Sequence, residues 1–247
     1  MDIQALLFDV NSTLIDIETD EQLEQTYRAI GHFLSYQGIS LRRFQVRDLY
    51  FQVMKEQLGA KTESFPEFDV VAVWREILDR HENDYTRALP PEKLQQLPLF
   101  IAEMQRGISR KRLALFPHVK EALEQIKDRY RLAIVSDAQS AYATSELRFT
   151  GIHGYFDPIV ISGDYGYRKP DPRLFRTALD EMGLQPEHAI FIGNDRYRDI
   201  YGAQQVGMKT ILFCPNGDAG RSTGAEPDYI IRDFAELGGA LEFFARS

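Results

Sequence analysis

Four short polar clusters in the sequence carry side chains whose types could do chemistry at a shared site. They are Asp9 with Asn11-Ser12-Thr13, Ser136-Asp137, Lys169 before Pro170, and Gly193-Asn194-Asp195 with Asp199. Together they supply carboxylates, hydroxyls, amides and one ammonium, which are the groups needed for a nucleophile and for charge stabilisation. Each cluster alone has a simpler explanation as a turn, a helix cap or a solvated loop. Their arrangement along the chain is what favours a shared site.

The elements that must position these clusters are short apolar runs. The runs are Ala5–Val10, Leu132–Val135, Ile159–Ile161, Ala189–Ile192, Thr210–Phe213 and Tyr229–Ile231. They are too short for helices and do not alternate, which is typical of parallel strands buried on both faces. Helical patterns, such as Pro117–Asp128 and Pro172–Met182, lie between most of them. This alternation predicts an α/β fold with a doubly wound parallel sheet, whose strand ends would bring the polar clusters to one edge.

Residues 16–115 interrupt the alternation of strand and helix. They contain four helical patterns, near 19–36, 40–58, 68–83 and 91–106, and no convincing strand. We therefore predict two domains. Residues 1–15 and 116–247 form the α/β core, and residues 16–115 form an inserted, all-helical lid over the sheet. Residues 216–227 are predicted to form a surface loop.

Composition narrows the class of partner. The chain has 247 residues, and 29 Lys and Arg against 37 Asp and Glu give a net charge of −8. This balance disfavours nucleic acid and leaves a small-molecule substrate as the expected partner. Cys214 is the only cysteine, the first residues do not form a leader, and there is no long apolar segment, so we expect a cytoplasmic protein without a membrane partner. The sequence gives no indication of an oligomeric state.

The four clusters together resemble the motifs of a known family. The segments FDVNSTL at 8–14, IVSD at 134–137, GYRKPDP at 166–172 and IGNDRYRDIYGA at 192–203 resemble, in order and spacing, the four motifs of the haloacid dehalogenase superfamily. The insertion resembles the cap domain that follows the first motif in that family. The resemblance spans essentially the whole chain and implies a Rossmann-like core with a helical cap.

The resemblance also implies roles for individual residues. Asp9 would be the nucleophile that forms a covalent aspartyl intermediate, Ser136 would donate a hydrogen bond to the transferring group, and Lys169 would neutralise charge. In the phosphatase branches Mg²⁺ is held by the first Asp, by the backbone carbonyl of the residue at Asn11, and by a carboxylate of the fourth motif. Asp199 would hold Lys169 or a metal-bound water. Clustered carboxylates that face an anionic phosphate independently favour a cation.

Two positions depart from the phosphatase pattern. Asn11 stands where the family usually has an Asp that serves as general acid and base, and an amide has no proton to give at neutral pH. In the fourth motif Asn194 replaces the usual Asp, and Asp195 follows it. Asn194 could ligate the metal through its amide oxygen, or a local shift could let Asp195 do so. We favour Asp195, with Asn194 assisting.

These departures separate the possible reactions by their leaving groups. An alkyl phosphate needs a proton donor for its alkoxide, whereas an acyl phosphate, an aryl phosphate or a halide leaves as a stable anion. The sequence therefore predicts a magnesium-dependent phosphohydrolase, restricted to good leaving groups or slow. A 2-haloacid dehalogenase is the second interpretation. A protein of this fold that binds an anionic ligand and catalyses little is the third.

Overall fold

The computed structural model describes residues 2–217 and 225–246, so most of the loop predicted at 216–227 lies outside the described residues. In chain order the elements are β1 Ala5–Phe8, β2 Ile15–Thr19, α1 Glu24–Tyr36, α2 Arg43–Gly59, α3 Val70–Arg80, α4 Asp84–Arg87, α5 Pro91–Ser109, β3 Arg110–Leu115, α6 Val119–Ile126, β4 Arg131–Ser136, α7 Ser140–Phe149, β5 Ile159–Ile161, α8 Pro172–Met182, β6 Ala189–Gly193, α9 Gly202–Gln204, β7 Lys209–Phe213, β8 Tyr229–Ile231 and α10 Leu237–Arg246.

Six strands form one parallel sheet in the order β5-β4-β1-β6-β7-β8. Successive residues of β1 face opposite sides, so Leu6 and Phe8 pack with α6, α7 and α10, while Leu7 packs with α8. This confirms the doubly wound α/β prediction. The chain order reverses on either side of β1, which places the expected ligand crevice at its carboxyl end. No helix among the described residues is long and apolar enough to cross a bilayer.

Five helices, α1 to α5, lie between β2 and β3, and four of them, α1, α2, α3 and α5, share their own apolar core. Trp74 is fully buried there, stacks on Tyr50 at 5.2 Å between ring centroids, and donates from Nε1 to Gln105 Oε1 at 2.8 Å. The four long helices of this insertion fall where the apolar periodicity predicts them. The insertion buries its apolar face internally and against α7, so its helices do not depend on the sheet for a core.

The prediction that residues 16–115 contain no strand is wrong. β2 and β3 pair antiparallel as a separate two-stranded ribbon, from Ile15 opposite Leu115 to Thr19 opposite Arg110. Ile15 and Leu115 pack on the core of the main sheet, whereas charged side chains point outwards. The ribbon therefore carries the chain out of the core and back into it.

Candidate active site

The polar clusters converge at the carboxyl edge of the sheet. Asp9 follows β1, Ser136 ends β4 and Asn194 follows β6, and these three strands are neighbours. Lys169 lies in the segment before α8, and Asp199 lies shortly after β6. The topology therefore brings together residues that are far apart in sequence, as the strand-end argument predicts.

The Asp9 carboxylate is buried and both of its oxygens are held. Oδ1 accepts from Lys169 Nζ at 2.7 Å and from Ser136 Oγ at 3.3 Å, and Oδ2 accepts from Thr13 Oγ1 at 3.0 Å. Thr13 reaches back because the turn after β1 reverses the chain, with Ser12 in the left-handed region at φ 63°. A carboxylate fixed in this way is pre-positioned for nucleophilic attack.

Lys169 is the cation at the centre of the site. Its Nζ donates to Asp9 Oδ1 at 2.7 Å, to Asp199 Oδ1 at 2.6 Å and to the Val135 carbonyl at 3.1 Å, which uses all three of its protons. Burial lowers the pKa of the Lys169 ammonium, but the carboxylates of Asp199 and Asp9 outweigh this effect and raise the pKa above its usual value. Lys169 is therefore a permanently charged partner for Asp9.

Asp199 is fully buried and anchors this cation. Its Oδ2 accepts from the backbone N–H groups of Asn194 at 3.0 Å and Asp195 at 2.9 Å, while its Oδ1 faces Lys169. A Cβ at Gly193 would lie 2.5 Å from the Asp199 carboxyl carbon, so this approach needs glycine. Burial raises the pKa of the Asp199 carboxyl above its usual range, against the opposing effect of Lys169.

Asp195 is engaged in local structure. Its Oδ1 accepts from the backbone N–H groups of Tyr197 at 2.9 Å and Arg198 at 2.8 Å, and caps the π-helical segment Arg196–Tyr201. Its Oδ2 accepts from Arg198 Nε at 3.0 Å. Both oxygens are thus directed to the helical segment after β6. The cause is the position of Asp195 at the start of that segment, where a carboxylate is the preferred cap.

Asn194 stands beside Asp9 instead. The Thr13 hydroxyl lies within 3.2 Å of Asn194 Oδ1 and 3.0 Å of Asp9 Oδ2, so these two oxygens share one neighbour. Which of Asn194 and Asp195 serves as a metal ligand stays a prediction, and the positions favour Asn194.

The oxygen donors around Asp9 fit a hard divalent cation. Asn11 Oδ1 is buried and has no hydrogen-bond partner in the part of the chain that the structure describes. No group of three or more His, Cys, Asp or Glu side chains among residues 2–217 and 225–246 is arranged to hold a metal. An ion here would rest on one carboxylate with amide and carbonyl oxygens, which suits Mg²⁺ because Mg²⁺ binds few protein ligands and keeps several waters.

Asp137 is a second buried carboxyl at this edge. Its Oδ1 accepts from the Lys169 backbone N–H at 2.9 Å, whereas its Oδ2 has no hydrogen-bond partner among the described residues and lies 3.8 Å from Arg198 Nη1. Burial raises the pKa of the Asp137 carboxyl. The Asp137 carboxyl therefore holds the backbone of the segment that carries Lys169.

A segment of the insertion, residues 61–70, lies on the core beside these residues. Glu67 N–H donates to the Gly166 carbonyl at 3.0 Å, and the Arg168 N–H donates to the Phe65 carbonyl at 2.9 Å. The Phe65 ring also packs edge-to-face on Tyr197, with 6.3 Å between centroids. The segment is thus bound directly to the loop that carries Lys169.

Two buried side chains complete this contact. Gln139, three residues after Ser136, accepts from the Val70 N–H at 2.9 Å and donates to the Phe68 carbonyl at 2.8 Å. Glu67 Oε2 accepts from Ser162 Oγ at 3.0 Å, and burial raises the pKa of the Glu67 carboxyl. Segment 61–70 is therefore held against the core by hydrogen bonds to Gln139, Ser162 and the loop that carries Lys169.

A family model described as haloacid dehalogenase-like hydrolase matches residues 6–213. The chain belongs to this family. Solved structures agree on the fold. A 2-haloacid dehalogenase from Pseudomonas syringae is similar with a TM-score of 0.73 at 22% identity, covering 98% of this chain and 99% of that chain. A HAD phosphatase from Thermococcus onnurineus has a TM-score of 0.58 at 25% identity, covering 97% and 98%.

Curated relatives that match this hydrolase over most of its length carry phosphatase names. The chain is 28% identical over 232 residues to glyceraldehyde 3-phosphate phosphatase of Methanothermobacter thermautotrophicus, which covers 92% of this chain and 91% of the relative. It is 25% identical over 244 residues to the pyrophosphatase PpaX of Oceanobacillus iheyensis, with 96% of both covered. These relatives favour a phosphatase-type hydrolase over a dehalogenase-type one.

The predicted site residues are largely assembled in this hydrolase. Those brought together around one carboxylate are Asp9, Ser136, Lys169, Asp199 and Asn194, with Asn11 in the adjoining turn. Their catalytic and metal-binding roles stay predictions. The sequence did not predict that the Thr13 hydroxyl lies between Asp9 and Asn194, although Thr13 belongs to the first motif. It also did not predict the contact that Glu67 and Gln139 make between the insertion and the core, because these two residues carry no local signal.

Proposed function

We propose that this hydrolase is a magnesium-dependent phosphohydrolase that acts on a small phosphorylated metabolite with a good leaving group. The observation that carries the proposal is the buried Asp9 carboxylate, with the Lys169 ammonium and the Ser136 hydroxyl on one of its oxygens. That arrangement supplies a nucleophile, a hydroxyl donor and a positive charge that offsets an anionic group at one point. The phosphatase names of relatives that match over nearly their whole length support the same reaction class.

The proposed reaction has two displacements at phosphorus. An Asp9 oxygen attacks phosphorus, and the bond to the leaving group breaks, so that the leaving group departs with its electron pair. A water molecule then attacks the phosphorus of the aspartyl phosphate and the bond from phosphorus to the Asp9 oxygen breaks. The Asp9 carboxylate is regenerated, and the phosphate leaves with the oxygen and both protons of the water. Lys169 stays protonated throughout and offsets charge on Asp9, while Ser136 donates to a phosphoryl oxygen.

We propose that Mg²⁺ is held by the Asp9 carboxylate, the Asn11 backbone carbonyl and the Asn194 amide oxygen. A bound ion supplies positive charge that offsets the repulsion between Asp9 and the phosphoryl group. Calorimetric titration with Mg²⁺ tests the ligand set. Asn194→Ala should weaken binding, and Asp195→Ala should leave it unchanged because Asp195 caps the next helical segment. The reverse result would assign the ligand to Asp195.

The leaving-group restriction follows from Asn11. Asn11 offers an amide where a proton donor is needed, and the neighbouring Lys169 already uses its three protons on Asp9, Asp199 and Val135. Acyl and aryl phosphates need no proton on departure, so they are the substrates we expect to turn over. An alkyl phosphate should react slowly.

We further propose that residues 16–115 act as a lid on the core formed by 1–15 and 116–247. Asp9, Ser136, Lys169 and Asp199 are buried, and segment 61–70 is hydrogen-bonded to the loop that carries Lys169, so displacement of this segment would widen the access of a small anionic substrate to Asp9. Closure then excludes water from the aspartyl intermediate until the leaving group has gone.

The test of this function is a substrate panel with Mg²⁺. Phosphate release should be measured from acetyl phosphate, p-nitrophenyl phosphate and glycerol phosphate, and halide release from 2-chloropropionate. We expect turnover in that order for the phosphates and no halide release. Asp9→Asn should abolish phosphate release. Asp180 is an exposed carboxyl on α8, so Asp180→Asn should leave phosphate release unchanged.

Two outcomes would overturn the proposal. Halide release that depends on Asp9, without phosphate release, would make the chain a dehalogenase, for which Asn11 is no handicap because halide leaves as an anion. The absence of any release would indicate a protein that only binds anionic ligands.

A further inference from the structure

A cavity of about 190 Å³ lies within the insertion, among α3, α4, α5 and the end of α1. None of the residues around Asp9 lines it, so it is separate from the proposed catalytic centre. An apolar cavity of about 150 Å³ holds a molecule of the size of benzene. This cavity therefore has room for one small organic molecule of roughly six to nine heavy atoms.

One buried side-chain acceptor on the cavity wall has no donor among the described residues, and one backbone carbonyl has lost its usual helical donor. Gln37 is 2% exposed, and its Oε1 is buried without a hydrogen-bond partner among the described residues. Pro98 lies inside α5 and has no N–H, so the carbonyl of Leu94, four residues earlier, loses its helical donor. Gln37, Leu94 and Pro98 all line the cavity. Buried acceptors are normally satisfied, so a ligand that donates hydrogen bonds fits here.

The remaining wall has an apolar part and a charged rim. Ile39, Leu78 and Leu97 supply the apolar part. Arg75, Asp79 and Glu82 line the same cavity and are exposed. Glu82 pairs with Arg87 at 3.1 Å, so Arg75 and Asp79, one turn apart on α3, supply the remaining positive and negative charge at the mouth. A ligand that matches this wall has an aliphatic body, hydrogen-bond donors and both a positive and a negative group.

We propose that this cavity binds a free aliphatic α-amino acid of the size of valine or leucine. The ammonium donates to Gln37 Oε1 and to the Leu94 carbonyl and faces Asp79. The carboxylate faces Arg75, and the side chain lies among the apolar residues. The inference does not rest on the catalytic function, because it uses none of the residues around Asp9.

Ligand-observed NMR titration of the full chain tests the proposal with three probes. L-leucine carries both charges, isoamylamine lacks the carboxylate, and 4-methylvalerate lacks the ammonium. We expect leucine to bind with a Kd in the millimolar range or tighter, and each analogue to bind about tenfold more weakly, as loss of one charge-assisted interaction predicts. Equal binding of leucine and 4-methylvalerate would overturn the proposal.

Variants locate the binding site. Gln37→Leu keeps the size of the side chain and removes the acceptor, so leucine should bind about tenfold more weakly, whereas Gln52→Leu on the exposed face of α2 should change nothing. Pro98→Ala restores an N–H for the Leu94 carbonyl and should also weaken binding, in a helix that alanine favours. Unchanged affinity in both cavity variants would refute the site, as would loss of leucine binding in Asp9→Asn.

Discussion

Replacing Asn11 with Asp should restore proton transfer to the leaving group. Asn11 Oδ1 is buried and has no hydrogen-bond partner among the described residues, and Asp has the same shape, so the change requires no repacking. A positioned acid contributes about 10²–10⁴-fold, which corresponds to about 2.7–5.4 kcal/mol of barrier. Lys169 has no proton left to pair with the new carboxyl, because its three are used by Asp9, Asp199 and Val135. We therefore expect a gain near the lower end, about 10²-fold.

The assay is kcat/KM for phosphate release from glycerol phosphate and from acetyl phosphate. This ratio reports the steps up to departure of the leaving group and excludes the later hydrolysis of the aspartyl intermediate. The gain of about 10²-fold should appear for glycerol phosphate, and acetyl phosphate should change by less than about threefold because its leaving group needs no proton. Asn11→Ala is the control for a change of shape alone. Equal gains on both substrates, or the same gain in Asn11→Ala, would refute the reasoning.

Three further predictions concern buried residues of the site and of segment 61–70. Lys169→Met should lower the free energy of unfolding, measured in urea, by about 3–5 kcal/mol, because it strips Asp9 and Asp199 of their counter-ion; a loss below about 1 kcal/mol would contradict this. Gly193→Ala should abolish phosphate release with an unchanged circular dichroism spectrum, because a Cβ there would lie 2.5 Å from the Asp199 carboxyl carbon; normal turnover would show that Asp199 need not be so placed. Glu67→Gln should raise the melting temperature at about pH 8 and not below about pH 4.5, since burial raises the pKa of Glu67 and stability is lost as pH rises through that value. An equal difference in melting temperature between Glu67→Gln and the parent protein at both pH values would contradict a raised pKa of Glu67.

Local signals account for the elements whose limits the sequence predicts. α8 spans Pro172–Met182 as expected, because each end is marked by its own residues. Asp171 accepts from the Arg173 N–H at 3.0 Å, and Gly183 ends the helix at φ 62°. The strands of the sheet are likewise visible as apolar runs because they are buried on both faces.

The ribbon of β2 and β3 carries no such signal. Each strand is stabilised by a partner about a hundred residues away in the sequence, and most of its outward side chains are charged. Arg110 and Arg112 therefore resemble a solvated charge run until the pairing is known. Long-range pairing of this kind is a property of the assembled fold and not of either segment.

The site likewise contains residues that the sequence pattern predicts and residues whose position depends on the assembled fold. The convergence of Asp9, Ser136 and Lys169 follows from the rule that parallel strands end at one edge, which the sequence pattern is sufficient to apply. The choice between Asn194 and Asp195 depends on hydrogen bonds at the start of one helical segment, which composition and spacing do not encode.

The β2–β3 ribbon has a consequence for how this architecture can be altered. Thr19 and Arg110 are paired partners, and the Asp20 N–H donates to the Ser109 carbonyl at 2.8 Å, so the chain leaves and re-enters the ribbon at a single point. Asp9 and Thr13 lie before that point and are held by the turn after β1. Residues 20–109 are therefore continuous with the rest of the chain only at the ribbon, and residues 61–70 add non-covalent contacts to the core. We expect a different segment grafted at Thr19 and Arg110 to leave the Asp9 side chain in place and to change only the contacts over the strand ends.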